Sequence, residues 1–221
     1  DIYQLHWPDR PLNVFSGLEY EHTETNDIIP ILETMEAMAS LIKSGKIKYY
    51  GLSNETPWGT SQYIKLADKH NIPKPITIQN PYSLINRSYE VGLSEISIRE
   101  KIGLLAYSPL GGGHLTGKYL GGKKPAGTRE VLWGNRFDRY RTRNTEPAVK
   151  AYYEVAKKHN IDPAQMAIQF CIIQKFVTST IIGATSMEQL KKNIDSIDLS
   201  LTNDVIKDIN NVQLIYSNPC P

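Results

Sequence analysis

The chain has 221 residues, 40% hydrophobic and 22% charged, with a net charge of +2 at pH 7. That size supports one core of ordinary dimensions, and so small a charge argues against nucleic acid or a membrane as main partner. No apolar run approaches the roughly 20 residues of a bilayer span, and no signal peptide is visible. Two cysteines, Cys171 and Cys220, make no disulfide framework, so a reducing cytoplasm is expected. Cys171 lies in an apolar stretch and is expected to be buried. Cys220, beside the C-terminus, is expected to be a free surface thiol.

Strand-like and helix-like segments alternate. Asp1 to His6 reads as a short buried strand, and a chain that opens inside a strand reads as an excerpt of a longer one. Ile28, Ile31, Leu32, Met35, Met38, Ala39 and Ile42 recur at helical spacing, with Gly45 where a C-terminal cap belongs. Lys46 to Leu52 is a second strand. Trp58, Ile64, Leu66 and Ala67 mark a helix stopped near Asn71 and Pro73. Ile76 to Gln79 is a third strand, followed by a helix from about Ser88 to Glu100. Gly103 to Tyr107 is a fourth strand, and a long loop spans roughly Pro109 to Asn144. Helices are expected around Ala148 to His159 and Pro163 to Gln174. Thr180 to Ile182 is a fifth strand, and Ser186 to Ile194 and Asp204 to Val212 close the chain as helices.

Five βα units of this kind predict a parallel sheet with helices outside. A doubly wound sheet and a (β/α)8 barrel both fit, and in both the ligand meets the C-terminal strand ends. No G-x-G-x-x-G follows the first strand, which counts against a Rossmann domain. A full barrel needs eight units, so three would be missing here.

The strand ends are polar throughout: His6, Trp7, Pro8 and Asp9; Ser53 and Asn54; Gln79, Asn80 and Tyr82; Tyr107 and Ser108, then Gly111 to Gly113; and Gly183 to Ser186 opening a helix. Individually these signals are ambiguous. A histidine at a strand end is more often structural than catalytic. Ser53-Asn54 also fits a helix N-cap. The three glycines fit a turn as well as a phosphate loop. Gly183 to Ser186 fits a helix cap as well as an anion site at a helix N-terminus.

Together, DIYQLHWPD, KIKYYGLSN, IQNPYSL, LLAYSPLGGGHLTGKY and IIGATSMEQLKKNI resemble the aldo-keto reductase family, in the order and spacing of strands four to eight of its (β/α)8 TIM barrel. The long loop after SPL, with GKY and a later arginine, is similar to the bacterial branch related to potassium-channel β-subunits. The resemblance implies that residues 1–221 are the last five units of one such barrel. It implies that His6 hydrogen-bonds the substrate carbonyl. Ser53, Asn54 and Gln79 would hold the nicotinamide carboxamide, and Tyr107 would stack on its ring. Ser108, Leu110 and Gly113 would cradle the pyrophosphate, with Lys118 and Arg129 in the covering loop. Gly183, Thr185, Gln189 and Asn193 would meet the adenosine and 2′-phosphate end. Lys192 departs from the family pattern, in which an acidic residue is common beside the adenine. The family's proton-donating tyrosine, with its lysine and aspartate, would precede Asp1.

The expected activity is therefore NADPH-dependent reduction of aldehydes or ketones in the full-length protein, with residues 1–221 alone inactive. The segment from Lys118 to Arg143 carries eight basic residues against Glu130 and Asp138, a net +6 that suits phosphates and favours NADPH. The expected partner is a small carbonyl substrate, with no nucleic acid, membrane or metal, and with an oligomer if these residues stand alone. Two rivals remain: a non-catalytic or regulatory NADP(H)-binding protein, and a barrel hydrolase using His6 and Asp9. The second leaves Asn54, Gln79 and Tyr107 without roles. Trp7, Trp58, Tyr82, Trp133 and Phe137 are candidates for an aromatic pocket.

Overall fold

The computed structural model describes every residue of 1–221 except residues 14 and 16, and only the backbone at 135–137. The strands are β1 (Ile2–Leu5), β2 (Tyr49–Ser53), β3 (Thr77–Pro81), β4 (Gly103–Tyr107) and β5 (Val177–Thr180). The α-helices are α1 (Ile31–Lys43), α2 (Pro57–His70), α3 (Leu93–Glu100), α4 (Arg129–Trp133), α5 (Thr145–Lys158), α6 (Pro163–Ile172), α7 (Met187–Ile194) and α8 (Asn203–Ile215).

The sheet order is β1-β2-β3-β4-β5, and every neighbouring pair is parallel. A doubly wound sheet reverses its strand order to place helices on both faces. Here each strand adds on the same side, and right-handed crossovers then keep the helices on one face. That is the arrangement of a barrel wall. The core fills the space between sheet and helices, with Tyr50, Leu52, Ile78, Leu104 and Ala106 from the strands. Met35, Tyr63, Tyr152, Phe170, Cys171 and Ile209 come from the helices.

Several expectations need correction. The first strand is not buried: Ile2 and Tyr3 are exposed, because β1 is an outer strand of the sheet. The fifth strand lies at Val177–Thr180, earlier than the apolar pair Ile181-Ile182 suggested, because the run Val-Thr-Ser-Thr, β-branched at three of its four positions, makes the register with β4. Ile181 contributes only its N–H, to the carbonyl of Ala106 at 2.8 Å. The helix expected over Ser88 to Glu100 is two pieces, a 3-10 turn at Ser88–Glu90 and then α3, parted by Gly92 at φ 93°. A left-handed residue cannot continue a right-handed helix, and glycine adopts it without a Cβ penalty. The segment Pro109 to Asn144 is not a plain loop: it holds α4 and 3-10 turns at Gly111–Thr116, Leu120–Gly122 and Gly134–Tyr140.

Both cysteines are buried. For Cys220 this overturns the surface expectation: its N–H donates to the carbonyl of Ile85 at 3.0 Å and its Sγ lies 3.1 Å from Thr145 Oγ1. Burial pushes its thiol up to about 11. Among the described residues no helix is long and apolar enough to cross a membrane, and no group of three or more His, Cys, Asp or Glu side chains is set to hold a metal.

Candidate functional site

In a parallel sheet all C-terminal strand ends share one edge, and side chains alternate between faces. The register pairs Gln4 with Gly51, Ser53 with Gln79, Gln79 with Leu105, and Pro81 with Tyr107. Ser53, Gln79 and Tyr107 therefore stand on the face away from the helices. His6, one residue past β1, has the same parity. The sequence motifs thus converge by geometry on one rim.

Hydrogen bonds join them. Ser53 Oγ donates to the Gln79 carbonyl at 2.8 Å, and the Asn54 N–H donates to the same carbonyl at 3.1 Å. Asn54 is left-handed, φ 55°, a conformation asparagine tolerates better than most residues. Its amide is fully engaged: Nδ2 donates to the His6 carbonyl at 2.9 Å and to Ser53 Oγ at 3.2 Å, and Oδ1 accepts from Tyr107 Oη at 2.7 Å. Burial pushes the Tyr107 phenol up to about 12 against the opposing pull of Arg139, so this hydroxyl stays a donor near neutrality. The His6 ring is exposed, with its centroid 5.5 Å from that of Trp7. The Ser53-Asn54 pair is not the cap of α2. Thr56 caps that helix, accepting from the Gly59 N–H at 3.2 Å.

Past β4 the chain turns sharply. Ser108 is left-handed at φ 58°, and Gly111, Gly112 and Gly113 all have positive φ. The N–H groups of Gly111 and Gly113 are used within the turn, by the carbonyls of Ser108 at 2.8 Å and Leu110 at 2.9 Å. Those two N–H groups are therefore already engaged within the turn. Lys118 Nζ lies 5.1 Å from the Tyr119 ring centroid. Arg139, not singled out by motif, approaches Ser108 Oγ at 3.5 Å and Tyr140 Oη at 2.7 Å. The two acids of the segment are both taken by one cation: Arg141 binds Glu130 at 2.9 Å and Asp138 at 2.6 Å. Among the described residues no carboxylate pairs with Lys118, Arg129 or Arg139, so these three keep their charge unneutralised, as do the exposed Lys123, Lys124 and Arg143.

The last motif, Gly183 to Ser186, leads from β5 into α7. Ser186 caps α7, accepting from the Gln189 N–H at 3.2 Å, so the cap reading holds for that residue. The Thr185 N–H and Oγ1 both donate to Gln189 Oε1, at 3.0 and 3.1 Å. Asn193 Nδ2 donates to the Gly183 carbonyl at 3.3 Å. A Cβ added at Gly183 would lie 3.4 Å from Arg129 Nη2, which places the Arg129 guanidinium beside this turn. The Arg129 guanidinium beside the turn that opens α7 suits the phosphate end of a dinucleotide. Lys192 faces elsewhere, pairing with Asp162 at 3.0 Å.

Tyr82 is not a pocket residue. It is fully buried, its hydroxyl donating to Glu90 Oε1 at 2.6 Å. Trp7, Trp58 and Trp133 are exposed, and the Arg136 and Phe137 side chains lie outside the described residues.

A family model described as "Aldo/keto reductase family" matches residues 1–213. The chain is 52% identical to "Protein tas" of Escherichia coli (strain K12) over all of its own length and 64% of the relative's. It is 32% identical to "L-glyceraldehyde 3-phosphate reductase" of the same strain, over 82% of this chain and 55% of that one. It is 31% identical to "Probable voltage-gated potassium channel subunit beta" of Oryza sativa subsp. japonica, over 86% and 59%. The chain thus spans less than two thirds of the length of these relatives.

Proposed function

From the premise that this chain belongs to the aldo/keto reductase family, we propose that it forms strands four to eight of a (β/α)8 barrel whose full-length protein reduces an aldehyde or ketone with NADPH. The observation that carries the reading is the meeting of His6, Ser53, Gln79 and Tyr107 on one rim, tied through the Asn54 amide. NADPH supplies hydride chemistry when bound. The protein's part is position and electrostatics.

In this reading the Tyr107 ring supports the nicotinamide face, its hydroxyl locked by Asn54. Ser53 and Gln79 orient the carboxamide, and Asn54 holds both neighbours in place. Ser108, Leu110 and Gly113 shape the pyrophosphate turn, where Lys118 and Arg139 offset its charge. Gly183, Thr185, Gln189, Asn193 and Arg129 hold the adenosine end, with Arg129 as the 2′-phosphate contact. His6 offers a hydrogen bond to the carbonyl oxygen, where negative charge develops. The proton for that oxygen comes from a donor outside these 221 residues.

A second reading, an NADP(H)-binding regulatory protein without turnover, is favoured by the similarity to the potassium-channel subunit. One experiment separates the two. The full-length protein should oxidise NADPH in the presence of a reactive aldehyde. It should bind NADPH at least about tenfold more tightly than NADH, a difference of ~1.4 kcal/mol. His6→Ala should lower kcat/KM by roughly 10²–10³ while leaving the NADPH Kd nearly unchanged. Cofactor binding without turnover selects the regulatory reading. An equal loss of affinity and turnover in His6→Ala makes His6 structural.

A further inference from the structure

Behind the rim lies a second polar network, made by residues that follow the site residues along the chain. Arg10 comes four positions after His6, Glu55 directly after Asn54, and Asn80 directly after Gln79. Arg10 forks onto Glu55: Nη1 donates to Oε2 at 3.2 Å and Nη2 to Oε1, while Nη2 also reaches Thr56 Oγ1 at 3.0 Å. Glu55 Oε1 accepts the Thr56 N–H at 2.7 Å. The Glu55 backbone is held at both ends by the Asn80 amide, its N–H donating to Oδ1 at 3.1 Å and its carbonyl accepting from Nδ2 at 2.8 Å. Glu55 is buried and Arg10 partly so, with side chains 2% and 15% exposed, and the guanidinium lies 5.1 Å from the Trp58 ring centroid.

Helix α2 has made room for this pair. A Cβ at Gly59 would overlap Glu55 Oε1 and come within 2.5 Å of Arg10 Nη2. Glycine inside a helix is otherwise unfavourable. A buried ion pair adds little net stability over an apolar pair of the same shape, but a two-pronged guanidinium–carboxylate contact fixes distance and angle. What it fixes here is the segment after β1 against the turn after β2. Between those two anchors the His6 carbonyl is gripped by Asn54.

We propose that Arg10 and Glu55 are positioning residues for His6: their ion pair, with Asn80, locks the loop that carries the imidazole and so sets where it meets the substrate oxygen. The proposal rests on the reductase reading above. Neither residue is required to touch substrate or cofactor.

The test uses the full-length protein with two variants, Arg10→Lys, which keeps the charge and loses the fork, and Arg10→Met/Glu55→Leu, which removes both charges together. Each is compared with wild type for folding by circular dichroism, NADPH Kd, kcat and KM, and the His6 imidazole NMR signals, assigned by their loss in His6→Ala. Both variants should fold and keep the NADPH Kd within about twofold, while kcat falls about 10- to 100-fold and the His6 signals shift, as expected for a misplaced group. A folded double variant with wild-type kcat and unmoved His6 signals overturns the proposal. So does a double variant that does not fold, since the pair would then determine the fold. If wild type reduces no carbonyl, the reductase reading falls by itself. The inference is then judged on the His6 signals alone, and unmoved signals in both variants overturn it.

Discussion

His114 shows how far one side chain's surroundings govern its chemistry. It sits in the turn after β4, its ring centroid 4.8 Å from that of Tyr119 and 5.3 Å from that of Tyr140. Its Nε2 is buried with no hydrogen-bond partner among the described residues. Burial pushes the imidazole from 6.5 down to about 4, with the Glu130 charge opposing and Arg141 and Lys118 reinforcing. Between those two values the unfolded chain binds a proton that the folded chain refuses. Stability from this group is therefore complete above about 6.5 and lost as pH falls toward 4. The shift corresponds to roughly 2–3 kcal/mol between pH 7 and 4.5. Urea unfolding of wild type and His114→Gln at the two pH values should show the variant losing less stability by that amount. Parallel losses in the two proteins would rule out a neutral buried imidazole. A lone histidine between Gly113 and Leu115 gives no hint of this in sequence, because the burial comes from Tyr119 and Tyr140 folding over it.

At the scale of elements, local punctuation was legible and pairing was not. Gly45 at φ 71° and Asn71 at φ 50° stand where α1 and α2 stop, as their residue types suggested. Ser186 caps α7. These signals act within one turn of chain. Strand β5 was misplaced because its position is decided by register with β4, and the Arg10–Glu55 pair was missed because its partners lie 45 residues apart. Of the site, the motif residues stood out by position at strand ends, whereas Arg139 did not stand out among eight basic residues. Helix α6 permits a quantitative check. Asp162 accepts from the N–H groups of Ala164 at 2.9 Å and Gln165 at 3.2 Å, with Pro163 pre-set for the first turn. It also receives Lys192 from α7. Asp162→Ala should cost about 1 kcal/mol, most of it from the lost cap, since exposed ion pairs contribute little. In the longer full-length protein that is a fall in Tm of at most about 2–4 °C. An unchanged Tm by calorimetry would mean the cap is replaced by water at no cost.

At the scale of the whole molecule, the sheet of the described residues is an arc with two outer strands, β1 and β5. Helices cover one face. On the other, Ile2 and Tyr49 are 45% and 51% exposed at the β1–β2 end. Near the far end of the chain, Ile194, Ile197, Leu214 and Ile215 are more than half exposed. Unpaired strand edges template pairing with other chains, and apolar surface of this kind seeks cover. In the barrel reading, three further βα units pair with both edges and fill that face. A polypeptide of residues 1–221 expressed alone should therefore self-associate and show no carbonyl reduction. Size-exclusion chromatography with light scattering should give a mass well above the 25.0 kDa of one chain. An NADPH-oxidation assay with a reactive aldehyde should give no rate above blank. The two measurements probe separate claims: self-association follows from the open arc, and inactivity from the proposed reading in which the proton donor lies outside these residues. A monodisperse 25.0 kDa species would show that the exposed edges are tolerated. Turnover by that species would require a proton donor among the present residues and would overturn the assignment of proton delivery elsewhere.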